Sequence, residues 1–228
     1  MVALNTWFFH DTIKLYTGVF GSIFNDVKIK RGNASILVPI AFSLKQKYDV
    51  RNTENPDPNV LRKKVILPRM GYRLVGLRRD TTRIQNKMHR ITDHTDRSAL
   101  TSATIQYNRV PYVFSYELNV KTKNIEDMNQ ILEQILPFFN PSMNVTVEDN
   151  KDLDSNTSIN VKLLDIGKDD LFEGSFEDEQ VIESTLSFEL EGYLYMPTTP
   201  IKIIKKVNIN YHDLGLEGEP IFDTDVIQ

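Results

Sequence analysis

Apolar residues recur along this 228-residue chain with two different periods, and each period predicts a different kind of element. Ile13, Tyr16, Phe20 and Ile23 are spaced by three and four, and Val19 and Phe24 widen their stripe. This predicts an amphipathic helix over residues 12–24, with Asp11 in the N-cap position. A second helical pattern covers residues 125–138. Ile125, Met128, Leu132, Ile135 and Phe139 form its stripe, flanked by Ile131 and Leu136. Asn124 stands at its N-cap, and Glu126 and Asp127 in the first turn suit the positive end of the helix dipole. Pro137 weakens its last turn and Pro141 stops it.

Elsewhere the period is two. Tyr112, Phe114, Tyr116, Leu118 and Val120 alternate with Val113, Ser115, Glu117 and Asn119. Leu186, Phe188, Leu190, Leu194 and Met196 alternate with polar partners, as do Ile159, Val161 and Leu163. Ile201 to Tyr211 forms a further run, with a bulge expected at residues 204–206. Residues 36–42, 72–77 and 143–147 complete the strand set. One-sided alternation is the mark of antiparallel sheets with a single buried face. The expected fold is α+β: a mostly antiparallel twisted β-sheet with about two flanking amphipathic helices and long loops. No linker or repeat interrupts it, so a single domain over residues 1–228 is expected, with irregular loops near 51–59, 81–102 and 167–180.

Composition changes this picture little. Hydrophobic residues are 40% and charged residues 25%, ordinary for a folded chain. The absence of cysteine removes disulfides, thiolate metal sites and cysteine nucleophiles. No basic leader with an apolar core and no apolar run of ~20 residues is present, so a soluble protein with no membrane role, made in the cytosol, is expected.

Charge adds more. The net charge of −4 conceals eleven Lys/Arg against three Asp/Glu over residues 61–97, and fourteen Asp/Glu against three Lys/Arg over residues 148–191. Blocks of like charge are ordinarily solvated faces. Two blocks of opposite sign also permit head-to-tail contact between copies, the geometry that closes rings.

Candidate chemistry is sparse. His89 and His94, five apart near Asp93 and Asp96, lack both the spacing of four and the Glu of a helical metal pair. Glycine loops for phosphate and a G-x-S-x-G elbow are missing. The acidic residues around 165–178 lack the alternation and glycine of a calcium loop. No catalytic residues, no cofactor-binding residues and no metal ligands are assigned; the chain is expected to be no enzyme, and a hydrolase would need a site of unrecognised kind. The basic block could track a phosphate backbone, but the chain as a whole is acidic. Arg73 and Arg79 share strand parity while Arg78 faces the other way, which splits the charge between faces.

Five collinear segments carry a resemblance: WFFHDTIKLYTGVFGSIFNDVKIKR (7–31), ILVPIAFSLKQKY (36–48), VILPRMGYRLVGLRRD (65–80), IQYNRVPYVFSYELNVKTKNIEDMNQILEQILPFFNPSMN (105–144) and STLSFELEGYLYMP (184–197). The most telling elements are ILPR at 66–69, QYN-x-x-P at 106–111 and EQILPFF-x-P at 133–141. In this order they resemble the tail sheath stabilizer and completion family, the tail terminators of T-even-like contractile-tailed bacteriophages. The resemblance implies a structural virion protein without catalysis, assembled in the host cytoplasm and placed at the head-proximal end of the tail. It implies a homohexameric ring that stabilises the extended sheath, completes the tail and offers a head–tail joining surface. Implied partners are the chain itself, the tail sheath protein, the tail-tube terminator protein and the neck or head-completion proteins, with DNA passing through the lumen without specific binding. In such a ring the candidate interface residues are Arg62, Lys63, Lys64, Arg73, Arg78 and Arg79 on the basic side, and Asp169, Asp170, Glu177 and Asp178 on the acidic side. The alternative is a DNA-contacting head–tail connector or packaging factor.

Overall fold

In the computed structural model the described residues are 7–42, 67–93, 102–150, 155–171, 181–202, 206–207 and 226–227. The chain divides into two compact units, residues 1–84 with 110–194, and residues 85–109 with 195–228. No described helix is long and apolar enough to cross a membrane.

The first unit is built on a six-stranded sheet in the order β3-β4-β7-β10-β9-β8. Its strands are β3 (Ile40–Phe42), β4 (Arg69–Arg79), β7 (Val110–Thr122), β8 (Met143–Asn150), β9 (Ser155–Leu171) and β10 (Val181–Leu194). Every neighbouring pair is antiparallel except β3 with β4, so the sheet is mixed. A parallel pair requires a long connection, and β3 and β4 are well separated in the chain, the first ending at Phe42 and the second starting at Arg69. The expected single strand over 36–42 is two: β2 (Ala34–Leu37) pairs with β1 (Lys28–Arg31), and Pro39 separates it from β3. Gly32, at φ 59, makes the tight β1–β2 turn, where a positive φ suits glycine.

Alternation predicts the buried face of β7 and β10 well. Phe114, Tyr116, Leu118, Val120, Leu186, Phe188 and Leu190 are buried, and Ile159 and Val161 join them from β9. Two helices cover this face. Helix α1 (Thr12–Ile23) buries Tyr16 and Phe20, with Phe24 just beyond its end, while Ile13 at its start is exposed. Phe20 stacks on Tyr116 at 4.5 Å between ring centroids, and Phe188 packs against Phe20, Phe24 and Phe139. Gly192 lets α1 come close: a Cβ there would lie 2.5 Å from the Tyr16 ring. Asp11 occupies the N-cap position with φ 57 and makes no capping bond.

Helix α2 (Ile125–Ile135) runs into a 3-10 turn over Leu136–Phe138, where Pro137 removes a helical donor. Its buried line is Met128, Ile131 and Ile135, with Leu132 at the margin and Ile125 exposed. Of the predicted stripe Met128, Ile135 and Phe139 are buried, while the flanking Ile131 is more deeply buried than Leu132. Asn124 has the extended backbone of an N-cap and no side-chain capping bond. Gln130 and Gln134, one turn apart on α2, cover the open edge of β1. Gln130 accepts from Lys30 N at 2.7 Å and donates to its carbonyl at 3.2 Å; Gln134 does the same for Lys28 at 3.2 and 2.6 Å. The two amides thus stand in for a missing strand neighbour.

The second unit contains β5 (Arg90–Asp93), β6 (Ser102–Tyr107) and β11 (Thr199–Lys202), with β6 central, and a short pair of β12 (Lys206–Val207) with β13 (Val226–Ile227). β5 lies within the stretch 81–102 that was expected to be irregular. In the QYN segment Gln106 and Asn108 are buried polar residues. Gln106 Nε2 donates to the Met196 carbonyl at 2.6 Å, and Asn108 Nδ2 donates to Gln85 Oε1 at 2.8 Å. These bonds make their burial affordable. The loop expected at 51–59 and the bulge expected at 204–206 fall outside the described residues, residue 206 excepted.

Candidate functional site

The basic strand β4 departs from simple alternation. Its register against β7 shifts between Leu74 and Gly76. The extra residue reverses the parity that follows: Arg73 lies opposite Glu117 and Arg78 opposite Val113, both on the sheet face turned from the helices. Arg79, opposite Tyr112, takes the helix-side face. The expected grouping of Arg73 with Arg79 is thus corrected to Arg73 with Arg78, because one bulge moves every later side chain to the other face.

That outer face is a set of internal ion pairs. Arg73 donates to Glu117 Oε2 from Nε at 2.9 Å and from Nη2 at 2.7 Å. Arg78 meets Glu189 at 3.2 Å, Lys162 pairs with Glu191, and Lys121 lies 3.5 Å from the buried Glu183. Acidic positions on β7 and β10 are therefore met by cations on β4, β7 and β9. Sequence reading assigned Arg73 and Arg78 to a contact between copies; each has an acidic partner within its own chain.

Three further clusters escaped that reading. Asp80 Oδ1 accepts from Thr82 N at 2.9 Å and Thr82 Oγ1 at 2.6 Å, while its Oδ2 accepts from Arg83 Nε at 2.6 Å. The hydrogen bonds from Arg83 and Thr82 hold the Asp80 carboxyl well below the usual carboxylate range. The Arg83 guanidinium also lies 5.2 Å over the Tyr193 ring. The spacing Asp-x-Thr-Arg was a legible signal, since a turn aspartate binds the backbone two residues on. Buried Asp127 of α2 pairs with Arg31 of β1 through bonds of 3.3 and 2.5 Å. The Tyr16 hydroxyl donates to buried Asp149 at 2.7 Å and accepts from Tyr193 N at 3.1 Å. No sequence spacing signals these last two, whose partners are far apart in the chain.

Of the acidic candidates, Asp169 and Asp170 belong to β9, paired with Glu183 and Ile182 of β10. The expected loop over 167–180 therefore begins no earlier than residue 172. Arg62, Lys63, Lys64, Glu177 and Asp178 lie outside the described residues, as does His94. Among the described residues no group of three His, Asp or Glu side chains is placed to hold a metal.

Two depressions flank α1. One, of ≈ 420 Å³, lies between α1 and β8, with Leu15, Gly18 and Val19 on one wall and Asp11, Glu148 and Asp149 among its polar residues. The other, of ≈ 560 Å³, lies between the C-terminal end of α1 and the 3-10 turn, with Phe24, Ile135 and exposed Phe138 in its walls. The arrangement offers charged edges and shallow grooves, features suited to contact with other macromolecules.

Comparison with known proteins places these features in a lineage. The family described as T4-like virus Myoviridae tail sheath stabiliser matches residues 7–223. The tail completion protein gp15 of Enterobacteria phage T4 is 28% identical over 233 residues, covering 96% of this chain and 84% of that protein.

Proposed function

The chain belongs to the tail sheath stabiliser family of T4-like viruses, and from that premise we propose that it forms a homohexameric ring closing the head-proximal end of a contractile tail. The family's role is structural, in the phage tail. In the proposed role the ring holds the last sheath subunits extended, meets the tail-tube terminator, and presents a surface to the neck or head-completion proteins. The protein works by contact alone, without catalysis. The observation that carries this reading is the span of the family match, residues 7–223, which runs through both compact units.

The alternative, a connector that grips DNA, draws on the arginines of β4. Arg73 and Arg78 are already engaged by Glu117 and Glu189, which leaves them poor phosphate ligands. A lumen through which DNA slides agrees with that neutralised face and with the net charge of −4.

Native mass spectrometry of the purified chain, across concentration and salt, tests the ring. Hexamers, or monomer and hexamer in salt-dependent exchange, are the expected result. A monomer under every condition, together with failure to bind sheath or tube-terminator protein, would overturn it.

A further inference from the structure

Three aromatic side chains in a row stand exposed just before α1: Trp7 at 87%, Phe8 at 47% and Phe9 at 69%. Apolar residues scattered singly over a surface are ordinary, whereas a contiguous group marks a surface of contact. Tryptophan in particular is enriched among the residues that carry most of the energy of an interface.

A pocket suited to such a side chain lies at the far end of the same helix. The ≈ 560 Å³ groove has Phe24 and Phe139 in its walls, their rings stacked at 6.2 Å between centroids. Ile23 and Phe138 add apolar surface, and Phe138 is 67% exposed. Asp26 and Glu133, both exposed, bring carboxylates to the same groove. An indole is matched by that combination: its ring gains from apolar and aromatic walls, and its N–H needs an acceptor.

The arm does not reach the groove of its own chain. His10 and Asp11 line the other depression, beside the start of α1, and Phe8 lies against His10 at 5.7 Å between ring centroids. Held there, the backbone from His10 back to Trp7 covers about 10 Å at full extension. α1 has 12 residues and is about 18 Å long, and the groove lies past its last turn, at Ile23 and Phe24. An arm that fills this groove therefore comes from another copy.

We infer that copies of this chain join through the arm, Trp7 and Phe9 of one copy seated in the groove between the end of α1 and the 3-10 turn of the next. This rests on the ring reading above and specifies its joint. Arm and groove stand at opposite ends of α1, so the contact is heterologous and passes from copy to copy around an axis. Each of the two rings buries roughly 150–250 Å², and the groove a similar area. Together that is about half of a standard interface of ~1,600 Å², so the arm anchors a joint to which further surface contributes.

Trp7 is the one tryptophan of the chain, so its fluorescence reports its own surroundings. On assembly of the full-length chain its emission is expected to shift to the blue of the dilute monomer's and to become shielded from acrylamide. Trp7→Ala and Phe138→Ala are each expected to weaken association by roughly tenfold or more. Both side chains are exposed, so the melting temperature of the dilute chain should stay at the wild-type value. Combining the two should add little to either alone, because both remove one contact. Assembly with Trp7 emission unchanged, or variants that associate like wild type, would overturn this joint while leaving the ring intact. A blue shift that appears only when sheath or tube-terminator protein is added would give the arm to that partner and overturn the joint as well. A wild-type chain that is monomeric under every condition and binds neither of those proteins would overturn the ring reading and the joint with it.

Discussion

Tyr116 shows what burial does to one side chain. Its ring lies flat against Phe20, its hydroxyl is 3.1 Å from Thr17 Oγ1, and burial pushes the phenol up to about 12. The folded chain keeps a proton that the unfolded chain loses near pH 10. The associated stability is therefore complete below pH 10 and is lost as pH rises from about 10 to 12, on the order of 2–3 kcal/mol in all. Tyr116→Phe is expected to flatten this alkaline decline, which urea unfolding midpoints between pH 9 and 11.5 would show; an unchanged slope would mean another group titrates there. At this scale the buried aromatics were legible, because a period of two or of three to four marks them directly. The partners of buried carboxylates were not. Asp127 meets Arg31, 96 residues away, and Asp149 meets Tyr16, 133 residues away, and nothing local in the sequence signals such a pair.

Among elements, α2 shows how far periodicity reaches. The helix, its first-turn acids and its proline-tightened end were all readable. The stripe held at Met128, Ile135 and Phe139, but its margins did not: Ile131 is buried, Leu132 is only partly so, Ile125 is exposed, and Asp127 takes a buried place to meet Arg31. Ile131→Ala is expected to cost about 2–5 kcal/mol, as for a large side chain deleted from a packed core. Leu132→Ala should cost clearly less, since Leu132 sits only partly in the core. Thermal denaturation of both variants checks the order, and equal losses would put Leu132 as deep in the core as Ile131. β9 reaches into an acidic segment that composition alone reads as a loop. Its register with β10 continues through Leu171 because Val181 and Ile182 supply the opposing strand. Strand pairing overrode local composition there.

For the whole molecule, the opposed charge blocks were visible from counting alone, and their use was not. Arg78 was expected to serve a contact between copies, yet it faces Glu189 in the same chain. The two adjacent arginines should consequently behave differently. Arg78→Glu is expected to lower thermal stability by about 0.5–1 kcal/mol, the scale of an exposed ion pair. Arg79→Glu should leave stability alone; equal losses in melting for the two variants would refute the assignment of faces. By itself the sequence determined the helices, most strands, the buried face of β7 and β10, and the family, because each rests on local period or collinear motifs. Only the tertiary structure decided which cations meet which acids and where the sheet turns parallel. Those depend on register, and a single bulge within β4 reverses which face its later residues occupy without leaving any mark in composition.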